Sequence, residues 1–279
     1  MTTQRLPVVF ITGCSDGGIG SGLVKEFLSR EHLVYASTRS LASMSTLAHE
    51  NLRKLAVDVT DTASVDAAVR KIYEEDGEEI DIVVANAGIT CIDPLLDVTL
   101  ERSQLVMDTN LFGAVRVVNA VAPRMAKRGR GLIVTIGSIV GELGTPFSGL
   151  YNTSKAALHA YTETLSVELR PLGVNVMLVS PGSVRSNIIN NQKKTFALNP
   201  SSIYKDFAPQ IERRLNSSQG PDSMPTADFC RAVVDAALAP APPPYISLGG
   251  TVRLFNFLKW LNRQRALGMI YNSMMKVPA

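Results

Sequence analysis

The stretch VVFITGCSDGGIG, residues 8–20, decides the fold. Its first five residues, Val8–Thr12, have the length and the β-branched composition of a buried strand. A glycine-rich turn follows, and the residues from Ile19 to Arg30 have the periodicity of a helix. Glycines in such a turn let a pyrophosphate approach the backbone amides at the helix N-terminus. A glycine cluster alone is weak evidence, but its position after a first strand favours a nucleotide site.

Short β-branched runs alternate with helical periods along most of the chain, which is typical of βαβ units and a parallel sheet. The predicted strands are Val8–Thr12, Leu33–Ser37, Arg53–Asp58, Ile80–Ala85, Gly131–Ile136, Val174–Ser180 and Tyr245–Leu248. The predicted helices are Ile19–Arg30, Leu41–His49, Thr62–Glu75, Thr99–Lys127, Gly149–Arg170 and Thr226–Ala239. We therefore predict an α/β fold, with a Rossmann-like doubly wound parallel sheet of about seven strands and helices on both faces.

The predicted organisation is one domain followed by an extension. No repeat or interdomain linker interrupts residues 1–250, so we assign them to a single Rossmann-like domain. Between residues 183 and 225 the periodicity weakens, and a connection of that length is usually functional, so we predict a substrate-binding lid there. Residues 251–279 are predicted to form a C-terminal amphipathic extension, helical from Val252 to Met275.

Composition limits the class of protein. The 279 residues are 46% hydrophobic and 19% charged, which indicates a well-buried globular chain. The net charge of +3 is too small and too scattered to favour nucleic acid as a partner. Three cysteines without CxxC spacing predict neither a disulfide framework nor a metal site, and they favour a reducing, cytoplasmic compartment. No apolar run reaches about 18 residues, so no membrane span is expected.

The end of the second predicted strand indicates which dinucleotide would bind. A site for NAD places an acidic residue about there to bind the ribose 2′-hydroxyl. This chain has Ser37-Thr38-Arg39 instead, and an arginine can pair with a 2′-phosphate, so we expect NADP(H). Asp58 and Asn86 follow the next two strands, at the edge where a doubly wound sheet binds its ligand.

A tyrosine and a lysine, Tyr151 and Lys155, are four residues apart and therefore lie on one helix face. An adjacent ammonium stabilises a phenolate, so we expect Lys155 to lower the pKa of Tyr151 and to make it a proton donor and acceptor near neutrality. Ser138 precedes this pair by thirteen residues. The three side chains predict proton transfer to a carbonyl.

Taken together, these motifs resemble those of the short-chain dehydrogenase/reductase family, in the order that the family has them. They are the turn Thr12–Gly20, Asp58, Asn86-Ala87-Gly88, Asn110, Ser138, Tyr151-x-x-x-Lys155 and Pro181-Gly182. The resemblance covers the chain to about residue 248 and implies a catalytic domain. One departure is visible, because the glycine-rich turn is one residue longer than usual, with Asp16 or Gly17 as the addition.

The resemblance implies roles for individual residues. Tyr151 would be the general acid in reduction, Ser138 would hydrogen-bond the substrate carbonyl, and Lys155 would hold the nicotinamide ribose. Asn110 would hold a water that links Lys155 to solvent. The residues expected to bind the cofactor are Gly13, Ser15, Gly18, Ile19, Gly20, Arg39, Asp58, Val59, Asn86, Ala87, Gly88, Tyr151, Lys155, Pro181, Gly182 and Val184.

Less specific features suggest the substrate. The segments 35–39, 146–151 and 156–161 are similar to those of fungal and yeast NADPH-dependent acyldihydroxyacetone-phosphate reductases and, more distantly, of 17β-hydroxysteroid dehydrogenases. This similarity implies an NADPH-dependent reduction of a lipid-like ketone. Secondary-metabolite ketoreductases of the same family share much of the pattern and remain an alternative.

Two alternatives belong to other classes of protein. Gly13-Cys14-Ser15-Asp16-Gly17 matches the G-x-S-x-G nucleophile elbow of esterases, with His159 as a downstream histidine. A non-catalytic lipid-surface binding protein is the other alternative, although such a protein would normally have an eroded site.

The C-terminal extension combines apolar bulk with positive charge. Phe255, Phe257 and Trp260 are interspersed with Arg253 and Lys259. A cationic amphipathic helix with a tryptophan can lie in a bilayer interface, so peripheral contact with the endoplasmic reticulum or lipid droplets is one expectation. Packing on its own domain or on a partner subunit is the other. The family resemblance implies a homo-oligomer, either a dimer or a tetramer.

Overall fold

The protein forms one seven-stranded sheet in a computed structural model that describes residues 5–193 and 196–275. All strands are parallel, in the order β3-β2-β1-β4-β5-β6-β7. They are β1 Val8–Thr12, β2 Leu33–Thr38, β3 Leu52–Ala56, β4 Ile80–Ala85, β5 Gly131–Ile136, β6 Val174–Pro181 and β7 Tyr245–Leu248. The predicted doubly wound α/β fold is therefore confirmed, and its strand order reverses between β1 and β4.

Ten helices cover the sheet within the described residues. They are α1 Ile19–Ser29, α2 Thr62–Arg70, α3 Leu100–Met107, α4 Gly113–Arg128, α5 Gly149–Leu169, α6 Ile188–Lys193, α7 Ala208–Asn216, α8 Thr226–Ala237, α9 Val252–Trp260 and α10 Arg263–Met274. Side chains alternate between the two faces of the sheet: Val9 and Ile11 pack with α1 and α8, whereas Val8 and Phe10 pack with α2 and α4. Burial on both faces explains why the strands are continuous apolar runs.

The predicted helix Leu41–His49 is wrong. Only a 3-10 turn forms, from Leu41 to Met44. The backbone N–H of Thr46 donates to the Asp16 carboxylate instead of to a helical carbonyl, and the hydroxyls of Ser45 and Thr46 donate to the same carboxylate. Short polar side chains with such local partners compete with helix formation.

The predicted long helix Thr99–Lys127 is observed as α3 and α4, joined without a break by a π-helical turn at Asp108–Phe112. Its 29 residues, Leu100–Arg128, are long and apolar enough to cross a membrane, but 44% of the apolar window is buried inside the fold. Val117, Val121 and Met125 pack in the core beneath the sheet, so this segment is a core helix.

Backbone hydrogen bonds join the two ends of the predicted lid, residues 183–225, to each other. The N–H of Arg185 donates to the Met224 carbonyl, and the N–H of Met224 donates to the Ser183 carbonyl. Between these ends, α6 and α7 pack on the domain through the cluster of Ile92, Ile189 and Leu215. The predicted lid segment therefore folds with its own helices, and its role as a lid stays a prediction.

The C-terminal extension is helical, as predicted, but it forms two helices, α9 and α10; residues 276–279 lie outside the described part. Leu258, Ala266 and Ile270 face inwards and pack with Leu143. The Lys259 ammonium forms an ion pair with the mostly buried carboxylate of Glu142. The expectation that the extension packs on its own domain is therefore met on one of its faces.

Candidate active site

The site lies where β1 and β4 separate at the carboxyl edge of the sheet. The side-chain amide of Asn86 donates to the carbonyls of Thr12, at 2.8 Å, and Gly13, at 3.0 Å. The Thr12 hydroxyl in turn accepts from the N–H groups of Asn86 and Ala87. These four bonds fix the start of the glycine-rich turn, so Asn86 has a structural role beside the predicted cofactor contact.

Two glycines of the turn, Gly13 and Gly20, lie so close to other backbone atoms that a side chain would not fit there. Gly13 has φ of 74°, and a Cβ there would lie 2.6 Å from the Ala87 Cα. A Cβ on Gly20 would lie 2.4 Å from the Gly13 carbonyl oxygen. At its start, helix α1 has no side-chain cap on Gly18 and no acidic residue in its first turn. The backbone N–H groups around Ile19 are therefore available to donate to an anion, which fits the pyrophosphate of a dinucleotide.

The longer turn is explained by Asp16 and Gly17. The Asp16 carboxylate accepts from Ser45 and Thr46, which ties the turn to the segment after β2. Gly17 adopts φ of 72°, and its carbonyl accepts from the N–H of Asn187 in the lid. The added residue therefore makes the turn a contact point for two other segments.

Ser15 was predicted to bind cofactor and, in the esterase alternative, to act as a nucleophile. Its hydroxyl is hydrogen-bonded to the hydroxyls of Thr38 and Ser43, both at 3.2 Å. Among the described residues no histidine or carboxylate contacts it, whereas His159 contacts Ser138. The nucleophile-elbow interpretation therefore has no catalytic partner in this structure.

Arg39 is exposed at the end of β2, next to Asp58. The pKa of Asp58 lies below its ordinary value: burial opposes this, but the N–H and hydroxyl of Thr60 donate to the carboxylate and the charges of Arg39 and Arg116 act in the same direction. Val59 follows, buried against Gly113, where a Cβ would meet its side chain at 2.8 Å. These residues lie at the carboxyl edge of the sheet, where cofactor contacts are predicted.

Ser138 follows β5, and its N–H donates to Nε2 of His159 at 3.2 Å. His159 stands one helical turn beyond Lys155, which is itself one turn beyond Tyr151, so helix α5 presents all three on one face. Burial lowers the pKa of His159 to about 4, with Glu142 opposing and Lys155 and Lys259 reinforcing the shift. A neutral imidazole is therefore required to accept from Ser138.

The electrostatics of Tyr151 differ from the sequence-based expectation. Burial raises the pKa of Tyr151, while the Ser138 hydroxyl, within hydrogen-bonding reach, and the charge of Arg214 act to lower it. Lys155 donates to the Ile136 carbonyl at 2.7 Å and lies 5.8 Å from the centre of the Tyr151 ring. The prediction that Lys155 lowers the pKa of Tyr151 is wrong here, because burial dominates and the opposing charge comes from another residue.

Burial also lowers the pKa of Lys155 to about 8. Its single hydrogen bond leaves two of its three N–H donors available for a ribose among the described residues. Gly88 lies against this amine, since an added Cβ would lie 3.7 Å from Nζ and 3.3 Å from Oδ1 of Asn110. The lysine therefore fits the sugar-binding role that the resemblance implies.

Asn110 lies in the π-helical turn and connects two parts of the site. Its side chain accepts from the N–H of Ile89 and donates to the Ile89 carbonyl and the Ser154 hydroxyl, at 2.8–2.9 Å. Its amide thus braces helix α5 against the segment after β4. A role in holding a water stays a prediction.

The predicted residues Pro181, Gly182 and Val184 lie at the end of β6, where the lid begins. The N–H of Gly182 donates to the Leu248 carbonyl, and a Cβ there would collide with the Gly250 carbonyl at 2.1 Å. Val184 is buried and bridges Met224. These contacts hold the backbone beside Ser138, whose hydroxyl lies 3.5 Å from the Pro181 carbonyl.

Sequence reasoning missed Glu142 and Arg214, and it considered His159 only for the esterase alternative and not as the partner of Ser138. His159 could have been found from the four-residue spacing that continues from Tyr151 and Lys155. Nothing in the sequence distinguishes Arg214 from the adjacent Arg213, which is exposed.

Comparisons with known proteins agree with this site. A family model for the short chain dehydrogenases matches residues 7–196. A short-chain dehydrogenase of Penicillium crustosum is 34% identical over 227 residues, which cover 81% of this chain and 82% of that protein. An NADPH-dependent 1-acyldihydroxyacetone phosphate reductase of Schizosaccharomyces pombe is 35% identical over 211 residues, which cover 75% of this chain and 71% of that protein. The crystal structure of a short-chain dehydrogenase from Streptomyces avermitilis has a TM-score of 0.81 and 25% identity, covering 97% of both chains.

Replacing His159 by glutamine should make the folding stability depend less on pH between pH 6.5 and pH 4. The pKa of His159 is about 4 in the folded chain and 6.5 ordinarily, so the unfolded chain takes up the proton first. Folding stability therefore falls as pH drops from 6.5 to 4, by at most about 3 kcal/mol. Glutamine keeps an acceptor for Ser138 but does not titrate.

The measurement is urea unfolding of the wild type and of His159→Gln between pH 7 and pH 4. The exposed His49 provides a control, since His49→Gln should keep the wild-type profile. Parallel profiles for the wild type and His159→Gln would contradict a buried neutral imidazole.

Proposed function

The chain belongs to the short-chain dehydrogenase family, and on that premise we propose that it reduces a ketone to a secondary alcohol with NADPH. One observation carries the proposal: the Tyr151 phenol and the Ser138 hydroxyl lie together at the carboxyl edge of the sheet, with Lys155 buried one turn along the same helix. This arrangement is suited to a carbonyl oxygen that becomes negatively charged as the reaction proceeds.

The protonation state of Tyr151 suits the role of a proton donor. A phenol whose pKa is raised keeps its proton at neutral pH, so Tyr151 can donate it to the carbonyl oxygen. Ser138 would donate a hydrogen bond to the same oxygen. When bound, the nicotinamide of NADPH would supply a hydride for the carbonyl carbon, and the proton from Tyr151 would complete the alcohol. Lys155, with its two remaining donors, would hold the ribose.

The assignment of NADPH has two supports. Arg39 ends β2 where an NAD site would have an acidic residue, and it is exposed. The Schizosaccharomyces pombe relative is named as NADPH-dependent. The free amides at the start of α1 and the closely packed glycine backbone fit the pyrophosphate of this cofactor.

The proposed substrate is a lipid-like ketone. Ile92, Ile189 and Leu215 form an apolar cluster between the lid and the domain, with Ile188 and Phe196 beside them. The relative that reduces 1-acyldihydroxyacetone phosphate supports an acylated ketone. Reduction of a secondary-metabolite ketone remains the alternative within the family, and a substrate screen decides between the two.

Replacing Tyr151 by phenylalanine tests the chemistry. Without the phenol proton, the rate of NADPH oxidation with acyldihydroxyacetone phosphate should fall by about 10²- to 10⁴-fold. Tyr161 lies further along the same helix and packs in the core, so Tyr161→Phe should keep a rate close to that of the wild type. Equal rates in the wild type and Tyr151→Phe would rule out the proposed acid, and the absence of turnover with any ketone in a steroid, acyl and polyketide screen would favour a non-catalytic lipid-binding protein.

Replacing Arg39 by glutamine tests the cofactor. The variant should lose roughly 10- to 100-fold in kcat/KM for NADPH, since a charge-assisted bond to the 2′-phosphate is removed, and should keep its value for NADH. The exposed Arg70 on α2 provides a matched control, because Arg70→Gln should leave both values unchanged. Equal losses for NADPH and NADH would show that Arg39 does not read the 2′-phosphate.

We further propose that the outer face of α9 and α10 contacts an anionic lipid surface, which would place the protein in the cytoplasm with peripheral contact to the endoplasmic reticulum or lipid droplets. Trp260 is 82% exposed, and Leu254 on α9 and Tyr271 on α10 are also exposed. The exposed Arg263 and Arg265 supply positive charge. The expected homo-oligomer stays a prediction.

Vesicle sedimentation tests this contact. The wild type should sediment with vesicles of phosphatidylserine and phosphatidylcholine, and Trp260→Ser should sediment less, because it removes an interfacial anchor. Val167 is similarly exposed on α5, away from the extension, so Val167→Ser should bind as the wild type does. Unchanged binding of Trp260→Ser, or no binding by the wild type, would argue against membrane contact.

A further inference from the structure

Arg214 is a half-buried cation held by neutral groups. It lies on lid helix α7, and its Nε and Nη2 donate to the Ser148 hydroxyl at 3.3 and 3.2 Å. Its Nη1 donates to the Ser217 hydroxyl at 2.7 Å. These bonds use three of the five N–H donors of the guanidinium, so two remain.

No carboxylate balances this charge among the described residues. None lies within ion-pairing distance of the Arg214 guanidinium. Asp93, whose backbone bridges Ser148, interacts with Arg102 instead. A cation removed from water without a counter-ion is costly, so the position is explained best by a ligand that brings the negative charge.

Arg214 lies close to the reacting groups. Ser148, its partner, immediately precedes helix α5, in whose first turn Tyr151 lies. Tyr151 is the titratable group that acts on the pKa of Arg214, and Arg214 acts on the pKa of Tyr151 in return. Because such effects weaken with distance, a substrate carbonyl at Tyr151 would have the guanidinium near it.

A second side chain on helix α7, Gln210, has a polar atom without a hydrogen-bond partner among the described residues. Gln210 is 4% exposed and stands one turn before Arg214, so the two share a face of α7. The Gln210 side-chain oxygen accepts no hydrogen bond from the described residues. Buried polar atoms are normally paired, and this oxygen is an acceptor, so its partner would be a donor such as a hydroxyl of the ligand or a water, and the anionic group would be bound by Arg214.

An aromatic cluster fixes this part of the lid over the site. Phe147, Tyr204 and Phe207 pack together with ring centres 6.3–6.5 Å apart. Phe147 belongs to the loop that leads into α5, and it adopts φ of 58°, which is unfavourable for an aromatic residue. The cluster therefore positions α7, and with it Arg214, relative to the catalytic helix.

We propose that Arg214 binds an anionic group of the substrate, a phosphate or a carboxylate attached close to the ketone. The two remaining donors of the guanidinium would form paired bonds to its oxygens, as arginine does with oxyanions. The inference rests on the proposed ketone reduction at Tyr151 and specifies the class of ketone: one with a charged group on the carbonyl side of the molecule and an apolar chain beyond it.

The test compares matched ketones that differ in charge. The probes are acyldihydroxyacetone phosphate, the same acyldihydroxyacetone without its phosphate, and a long-chain 3-keto acid. The enzymes are the wild type, Arg214→Gln, Arg214→Lys and Arg213→Gln, the last being the exposed neighbour on the outer face of α7. The readout is kcat/KM with NADPH, and NADPH affinity is measured for each variant.

Wild type should prefer at least one charged ketone over the neutral one. Arg214→Gln should lose roughly 10- to 100-fold more on that ketone than on the neutral one, while Arg214→Lys keeps part of the preference and Arg213→Gln keeps all of it. The rates with the phosphate ketone and with the keto acid show whether Arg214 binds a phosphate or a carboxylate. NADPH affinity should not change in any variant.

Two outcomes would overturn the proposal. Equal losses on charged and neutral ketones would show that Arg214 acts through Tyr151, and a wild type without preference would show that no anion is read. Reduction of no ketone at all would instead remove the proposed function. If Arg214→Gln does not fold, inhibition of the wild type decides: hexyl phosphate should compete with the neutral ketone, and no competition contradicts the proposal.

Discussion

The bond between the Asn86 amide and the backbone of Thr12 and Gly13 is the constraint on which the rest of the site depends. It joins the end of β1 to the segment after β4, at the point where the strand order reverses. The glycine-rich turn, the start of α1 and the segment after β4 are all positioned by it. Burial on both faces keeps the sheet rigid behind this point, and the site can therefore be built from loops without losing precision.

Most of the fold was predictable because its determinants are local. The apolar run Val8–Thr12 forms a strand wherever both faces are covered, and the glycines after it specify the turn. The prediction failed at Leu41–His49, where Asp16, thirty residues away in the chain, takes the N–H that a helix would need. The π-helical turn that contains Asn110 was also missed. The side chain of Asn110 is hydrogen-bonded to Ile89 and Ser154, which belong to other segments of the chain.

The positions of the proposed catalytic residues were predictable, but their electrostatics were not. The spacing of Tyr151 and Lys155 fixes their common helix face, and the structure has them there. Which charge acts on the phenol depends on the lid, which brings Arg214 from sixty-three residues further along the chain. Three groups therefore set the charge of the site: the half-buried Tyr151 phenol, the neutral His159 imidazole that accepts from Ser138, and the Arg214 guanidinium, which has no carboxylate partner among the described residues.

Glu142 makes the C-terminal extension part of the sheet's stability. It lies four residues after Ser138 and accepts from Ser180, Tyr245 and Lys259, the last of which is 117 residues downstream. Without α9 this mostly buried carboxylate would have no cation, which is costly. Loss of the extension would therefore also destabilise the ends of β6 and β7, to which Ser180 and Tyr245 belong.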